Sequence, residues 1–151
     1  MKIIFLTRRF YPDVGGVEKH VLEISREFIK RGHDVTVVTE SKSKVRKLDK
    51  INILRLPKFP ENWFKKFYIW KWFLINRKMF KKVDIIHAHD VYFWYFPIRI
   101  LNPLKKSYIT FHGYETKFPP SKKAIFVRKT SEILSSGNIC VGNYIKKWYG
   151  T

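Results

Sequence analysis

Two short apolar runs flank an amphipathic segment near the start of the chain, and this pattern constrains the fold most strongly. The runs KIIFLT (Lys2–Thr7) and VTVVT (Val35–Thr39) have the length and composition of buried parallel strands. Between them, apolar residues recur at spacings of three and four, which predicts a helix with one buried face. These residues are Val17, Val21, Ile24 and Phe28. Strand, helix and strand in this order predict a βαβ unit with a right-handed crossover.

The alternation of strands and helices continues along the chain. Further strands are predicted at Ile51–Leu56, Asp84–Ala88, Tyr108–Phe111 and Asn138–Val141, and helices at Lys122–Leu134 and from about Asn143. We therefore expect an α/β fold, with a single doubly wound, Rossmann-like parallel sheet and helices on both faces. The charged segment from Ser41 to Lys50 is predicted to be a mobile connector.

The charge balance indicates affinity for phosphate groups. Lysine plus arginine is 31 and aspartate plus glutamate is 12, which gives +19. Such a charge attracts nucleic acid, nucleotide sugars or anionic lipid headgroups without deciding among them. Cys140 is the only cysteine, so no disulfide can form within the chain.

The start of the chain predicts its location. MKIIFLTRRF has a shorter apolar stretch than a signal peptide needs, and no uncharged apolar run approaches the length of a bilayer span. We expect a cytoplasmic protein. Peripheral attachment to the inner face of the membrane is compatible with that location.

Three segments follow predicted strands and are the candidate ligand-binding loops. They are Arg8–Gly16, His87–Asp90 and His112–Thr116. In open parallel sheets, ligands bind beyond the carboxyl ends of the strands. The three segments are therefore predicted to form one crevice.

The first segment places Gly15 and Gly16 directly before a helix, with Arg8 and Arg9 nearby. Glycine tolerates positive φ and allows close approach of backbone to a ligand, and the unpaired amides of a helix start favour anions. This segment is predicted to bind substrate. The alternative is a plain strand-to-helix turn in which Glu18 caps its own helix.

The other two segments carry histidines. His87 and His89 point to one side of a strand, which would suit a metal pair, but hydrogen bonding to the backbone is the commoner outcome and no metal site is predicted. His89 and Asp90 are instead predicted to bind substrate. His112, with Gly113 beside it, can bind a sugar hydroxyl or shuttle a proton, and a structural role is the alternative.

The stretch WFKKFYIWKWFLINRKMFKK (Trp63–Lys82) combines aromatic and basic residues. On a helix it would carry two apolar stripes, one with Phe64, Tyr68, Trp72, Ile75 and Met79 and one with Trp63, Phe67, Trp70 and Leu74. If one stripe stays exposed, the helix suits the surface of an anionic membrane. The candidate interface residues are Trp63, Trp70, Trp72, Lys65, Lys66 and Lys71. The alternative is a core helix with a solvated basic face, or two shorter helices.

Four groups of residues together resemble the N-terminal domain of the family 4 glycosyltransferases, which have the GT-B architecture. The groups are Pro12 with Gly15, Gly16 and Glu18; RGHDV (Arg31–Val35); DIIHAHD (Asp84–Asp90); and TFHG (Thr110–Gly113). Their order and spacing extend over nearly the whole chain.

The resemblance implies a retaining transfer of sugar from a nucleotide-diphosphate sugar to a lipid or polysaccharide acceptor, without a cofactor or metal ion. Gly15 and Gly16 match the loop that approaches the donor phosphates and the acceptor. His112 matches the histidine near the transferred sugar, and the HAHD strand end matches another cleft-facing segment.

Two departures from the family pattern bear on activity. Gly142 stands where a serine is typical, and the chain ends at Thr151, before any nucleotide-sugar-binding C-terminal domain. Residues 1–151 are thus expected to be an acceptor-side domain that is inactive without such a domain, which could be supplied in trans. A non-catalytic subunit that anchors a split enzyme at a membrane and binds acceptor is the second hypothesis. Nucleic-acid binding ranks lowest, because no reader motif is present.

Overall fold

The computed structural model describes residues 1–113 and 119–149, and its centre is a seven-stranded sheet. The strands are β1 (Lys2–Thr7), β2 (Asp34–Thr39), β3 (Lys47–Leu48), β4 (Ile51–Arg55), β5 (Ile85–His89), β6 (Ser107–Phe111) and β7 (Gly137–Cys140). Their order across the sheet is β3-β4-β2-β1-β5-β6-β7. All neighbours are parallel except β3 and β4. The predicted α/β class with a parallel, Rossmann-like sheet is confirmed.

Helices cover both faces of the sheet. They are α1 (Gly16–Lys30), α2 (Lys65–Ile75), α3 (Arg77–Lys81), α4 (Phe96–Leu101), α5 (Lys122–Leu134) and α6 (Asn143–Tyr149), with a 3₁₀ turn at Tyr92–Tyr95. Alternate residues of β1 enter different cores, because side chains of a strand point to opposite faces. Ile3 and Phe5 pack with α1, whereas Ile4 and Leu6 pack with the other helices.

Helix α1 has the register that the sequence predicts. Val21 is buried, and Val17, Ile24 and Phe28 pack around it on the same core. The helix ends at Lys30, and Gly32, two residues later, has a φ of +79°, in the left-handed region that favours glycine. The Gly32 amide donates to the Ile29 carbonyl and the His33 amide to the Phe28 carbonyl, which satisfies the last turn.

Two regions differ from the sequence prediction. The predicted mobile connector is tied to the fold, since it contains β3 and since Ser41 is buried and accepts a hydrogen bond from the Phe10 amide at 2.7 Å. The 3₁₀ turn and α4 were not predicted at all, because the aromatic run at their start is mostly buried and shows no helical or strand period.

The aromatic and basic stretch forms two helices, as the alternative hypothesis had it, and neither predicted stripe is its buried face. Ile69 and Phe73 of α2 and Phe80 of α3 face the core instead. Phe73 stacks on Phe80, with ring centroids 4.8 Å apart. Asn76 separates the two helices, so the residues of α3 do not continue the helical period of α2. A single helical wheel drawn over both helices therefore predicts the wrong buried face.

No helix among residues 1–113 and 119–149 is long and apolar enough to cross a membrane.

The register of α2 predicts a large difference between two phenylalanine substitutions. Phe73 is 0% exposed and Phe67 is 53% exposed. Phe73→Ala should lower the free energy of unfolding by about 3 to 5 kcal/mol, because it leaves a cavity in the core. Phe67→Ala should cost no more than about 0.5 kcal/mol, as is usual for a surface site. Urea denaturation of both variants measures this; equal losses would show that the helix is turned differently.

Candidate functional site

The carboxyl ends of three adjacent strands meet at one edge of the sheet. Strand β1 lies between β2 and β5, and β6 follows β5. The register pairs Thr7 with His89 and His89 with Thr110, so the three strands end at the same level. The loops that follow them therefore converge, as the sequence predicts.

A pocket of about 330 Å³ lies at this edge. It is lined by Thr7, Arg8, Arg9, Val17, Glu18, His89, Asp90, His112 and Gly113. Six of the predicted site residues are thus brought together. Of the segment His112–Thr116, only His112 and Gly113 lie within the described residues.

The glycine pair lies beside the pocket without lining it, and helix α1 reaches the pocket through Val17 and Glu18. Gly15 has a φ of −175°, an extended conformation open to any residue, so a need for positive φ does not explain this glycine. A Cβ at Gly15 would overlap the Glu18 carboxylate, whereas one at Gly16 would meet open space. A role for either glycine in binding substrate stays a prediction.

Three histidines from three elements form the inner part of the site. His89 of β5 and His112 after β6 share a hydrogen bond of 2.9 Å between Nδ1 and Nε2. The ring of His20, on α1, lies 4.9 Å from the His112 ring and 5.7 Å from the His89 ring, between centroids. Nε2 of His89 is buried and has no hydrogen-bond partner among residues 1–113 and 119–149.

His20 was missed by sequence analysis. It lies one helical turn after Gly16, at the end of α1 that faces the strand ends, and that position is the signal that could have found it. His87 has a structural contact, since its Nε2 bonds to Thr110 Oγ1 at 2.8 Å in the core.

Burial keeps His87, His89 and His112 uncharged at neutral pH. It lowers the pKa of His112 to about 4 and that of His87 to about 4, and repulsion from His20 adds to both shifts. Burial also places the pKa of His89 well below its usual value. Neutral imidazoles can each donate and accept one hydrogen bond, which suits sugar hydroxyls.

The same three histidines are the described residues best placed to hold a cation. His20, His89 and His112 each offer a ligand atom, and these atoms lie within 4.8 Å of one another. Three imidazole nitrogens fit the donor set of a zinc site. The positive charges of Arg8 and Arg9, which line the same pocket, oppose a cation there. The predicted absence of a metal ion stays a prediction.

Asp90 and Arg128 fix the main chain around His112. The Asp90 carboxylate accepts the His112 amide hydrogen at 3.1 Å and an Arg128 N–H at 3.1 Å. Arg128 also donates to the Gly113 carbonyl. Both side chains are largely buried, at 6% and 12% exposed, so this ion pair is poorly screened by water. Asp90 itself has φ +60°. Arg128 was missed, because nothing in the sequence connects α5 with the strand end.

Comparisons with known proteins agree with this geometry. The model of Glycosyltransferase Family 4 matches residues 14–151. A crystal structure of a glycosyltransferase from Rickettsia africae ESF-5 superposes with a TM-score of 0.67 over 97% of this chain, at 20% identity. One subunit of the human phosphatidylinositol N-acetylglucosaminyltransferase is 50% identical over 32 residues, which are 21% of this chain.

Both relatives are much longer than the region they share with this chain. The match spans 38% of the Rickettsia chain and 7% of the human protein. The family model, in contrast, extends over most of this chain, from the loop before α1 to the last residue. This chain belongs to Glycosyltransferase Family 4.

Proposed function

We propose that the pocket at the strand ends handles the sugar in a transfer from a nucleotide-diphosphate sugar to a lipid or polysaccharide acceptor, with retention of configuration. The observation that carries this proposal is the hydrogen-bonded, uncharged pair of His89 and His112 beside Arg8 and Arg9. Imidazoles suit hydroxyl groups, and the two guanidinium groups suit phosphates.

The donor would need further contacts. The pocket holds two arginines and, in the described residues, no closed cage for a diphosphate. We propose that residues 1–151 are an acceptor-side domain and that a second, nucleotide-sugar-binding domain completes the crevice, in the same polypeptide or in trans. No cofactor or metal ion is part of the proposal.

His112 is the proposed catalytic residue. Because its Nε2 bonds to His89, its Nδ1 is the ring nitrogen left to meet a sugar hydroxyl. Asp90 and Arg128 hold the His112 backbone, so the ring enters the pocket from a fixed point. Pre-set orientation of this kind raises the rate by avoiding reorganisation during the reaction.

Replacing His112 tests the catalytic role. In the enzyme assembled with its donor-binding domain, His112→Ala should lower kcat for sugar transfer by about 10²-fold or more. His33→Ala, which removes a histidine outside the pocket, should change kcat less than about twofold. Thermal unfolding of both variants controls for misfolding. Unchanged turnover in a folded His112→Ala enzyme would reduce His112 to a structural residue.

The buried histidines also predict how stability depends on pH. The unfolded chain protonates its histidines near pH ~6.5, whereas folded His87 and His112 stay neutral down to about pH 4. Their contribution is therefore present above the unfolded pKa and is lost as pH falls toward the folded pKa. The unfolding midpoint should drop between about pH 7 and pH 5. In His87→Asn the slope of midpoint against pH should be shallower, and in His33→Asn it should keep the parent value. A parent protein with a flat profile contradicts the assignment.

A second candidate function is a non-catalytic subunit that anchors a split transferase at a membrane and binds acceptor. The exposed aromatic residues of the α2 region favour it, above all Trp63, which is 72% exposed. Of the other candidate interface residues, Lys66 and Lys71 are exposed, whereas Trp70 and Trp72 are half-buried. Lys65 is also half-buried and ion-paired with Glu40 and Glu61.

Co-sedimentation with anionic liposomes tests the membrane contact. Trp63→Ala should weaken binding roughly tenfold, and Phe126→Ala should leave it unchanged. Phe126 is a matched control because it is 71% exposed and lies on α5. Binding should also weaken as salt rises. Equal effects of the two substitutions would remove α2 as the contact.

A further inference from the structure

A second and larger depression continues from the histidine pocket. This groove, of about 990 Å³, shares Arg8 and Arg9 with the pocket. Its lining comes from α2, the 3₁₀ turn, the loops after β1 and β2, and the start of α5. A molecule lying along the groove would therefore have one end at the histidines.

One side of the groove is an aromatic wall, which we define as Trp63, Phe67, Trp70 and Phe93. The rings follow one another along α2, with centroids 6.1 Å apart from Trp63 to Phe67 and 5.7 Å apart from Phe67 to Trp70. Trp70 is fixed by a hydrogen bond of 2.7 Å from its Nε1 to the Phe93 carbonyl. Such a wall gives an apolar ligand a continuous surface, and its exposed area is the kind that marks a binding groove.

The carboxylates of the groove are occupied by neighbours. Lys65 pairs with Glu40 at 3.1 Å and with Glu61 at 2.8 Å. The third carboxylate, of Asp13, accepts the Ser41 hydroxyl. Against these three acids the groove lining carries six basic residues, so positive charge remains after the internal pairs are formed. The basic residues are Arg8, Arg9, Lys42, Lys65, Lys66 and Lys123.

Two of these form a lysine pair, Lys66 on α2 and Lys123 at the start of α5, and both line the groove. Among the described residues, neither ammonium has a carboxylate within ion-pair distance. Lys66 Nζ lies over the Phe93 ring, 5.2 Å from its centroid, so the charge adjoins the aromatic wall. Partial desolvation lowers the pKa of Lys66, although the side chain is exposed, and repulsion from Lys123 lowers it further. An anion between the two ammonium groups would relieve that repulsion.

We propose that this groove is the acceptor site and that it takes a lipid carrying a phosphate group, with the phosphate at the lysine pair and the apolar chain along the aromatic wall. This inference rests on the proposed function in naming the acceptor class. A neutral glycan could stack on the aromatic rings but would leave the lysine pair uncompensated. A free phosphate would satisfy the lysines but leave the aromatic wall in water.

Binding of monomeric probes to the 151-residue chain tests the proposal without any sugar transfer. The probes are dihexanoyl phosphatidic acid below its micelle concentration, dihexanoylglycerol, inorganic phosphate and a neutral maltooligosaccharide, each measured by calorimetry and by tryptophan fluorescence. Dihexanoyl phosphatidic acid should bind at least about tenfold more tightly than each of the other three, because only it matches both the charge and the apolar wall.

Two matched double variants test whether the phosphate binds at the lysine pair. Lys66→Gln with Lys123→Gln should weaken binding of dihexanoyl phosphatidic acid about tenfold or more. Lys78→Gln with Lys122→Gln removes the same charge from exposed positions outside the groove and should change binding less than about twofold. A salt series at both variants separates a local clamp from the general attraction of a basic protein.

Three results would overturn the proposal. They are no binding of dihexanoyl phosphatidic acid, equal binding of dihexanoylglycerol or maltooligosaccharide, and equal losses in the two double variants. Because the measurement needs no donor and leaves His112 intact, its failure is distinct from failure of the transfer proposal. If the groove fails these tests while sugar transfer still depends on His112, the lipid-phosphate proposal is wrong and the proposed sugar site is unaffected.

Discussion

The site depends on the parallel register of β1, β5 and β6. Hydrogen bonding holds Thr7, His89 and Thr110 side by side, so the chain leaves all three strands at one height. Arg8, Asp90 and His112 follow these positions in the chain and therefore line the same pocket. A shift by one residue would turn His89 to the other face of the sheet and dissolve the histidine cluster, because side chains alternate along a strand. The apolar residues that alternate between the two cores are what prevent that shift.

Electrostatics divides this edge of the molecule into two environments. In the pocket, burial keeps the imidazoles of His89 and His112 uncharged, although the protein as a whole carries +19. In the adjoining groove, basic side chains outnumber acidic ones, and Lys66 Nζ lies over the Phe93 ring. This division is the basis of our proposal that the substrate brings a hydroxyl group to the pocket and an anionic lipid to the groove. The shared residues Arg8 and Arg9 lie where the two parts would join.

The sequence was most informative where side chains repeat with a period and face one core. The β1–α1–β2 unit and the convergence of the strand ends could be predicted, because alternation and glycine placement follow from backbone geometry alone. The face of α2 could not, because Ile69 and Phe73 are enclosed by aromatic residues of a turn far along the chain. The ion pair of Asp90 with Arg128 could not be predicted for the same reason, because the two residues are far apart in the sequence and come together only in the folded protein. His20 was within reach, because its helical position and the strand ends were both predicted.

One measurement bears most directly on the claim that the histidine pocket is where sugar is transferred. It is the crystal structure of this chain, assembled with the proposed donor-binding domain, in complex with an intact nucleotide sugar. The account predicts that the sugar ring lies at the carboxyl edge of the sheet with a hydroxyl within about 3 Å of the His112 ring. A sugar bound elsewhere, with His112 separated from it by a layer of protein, would contradict the account.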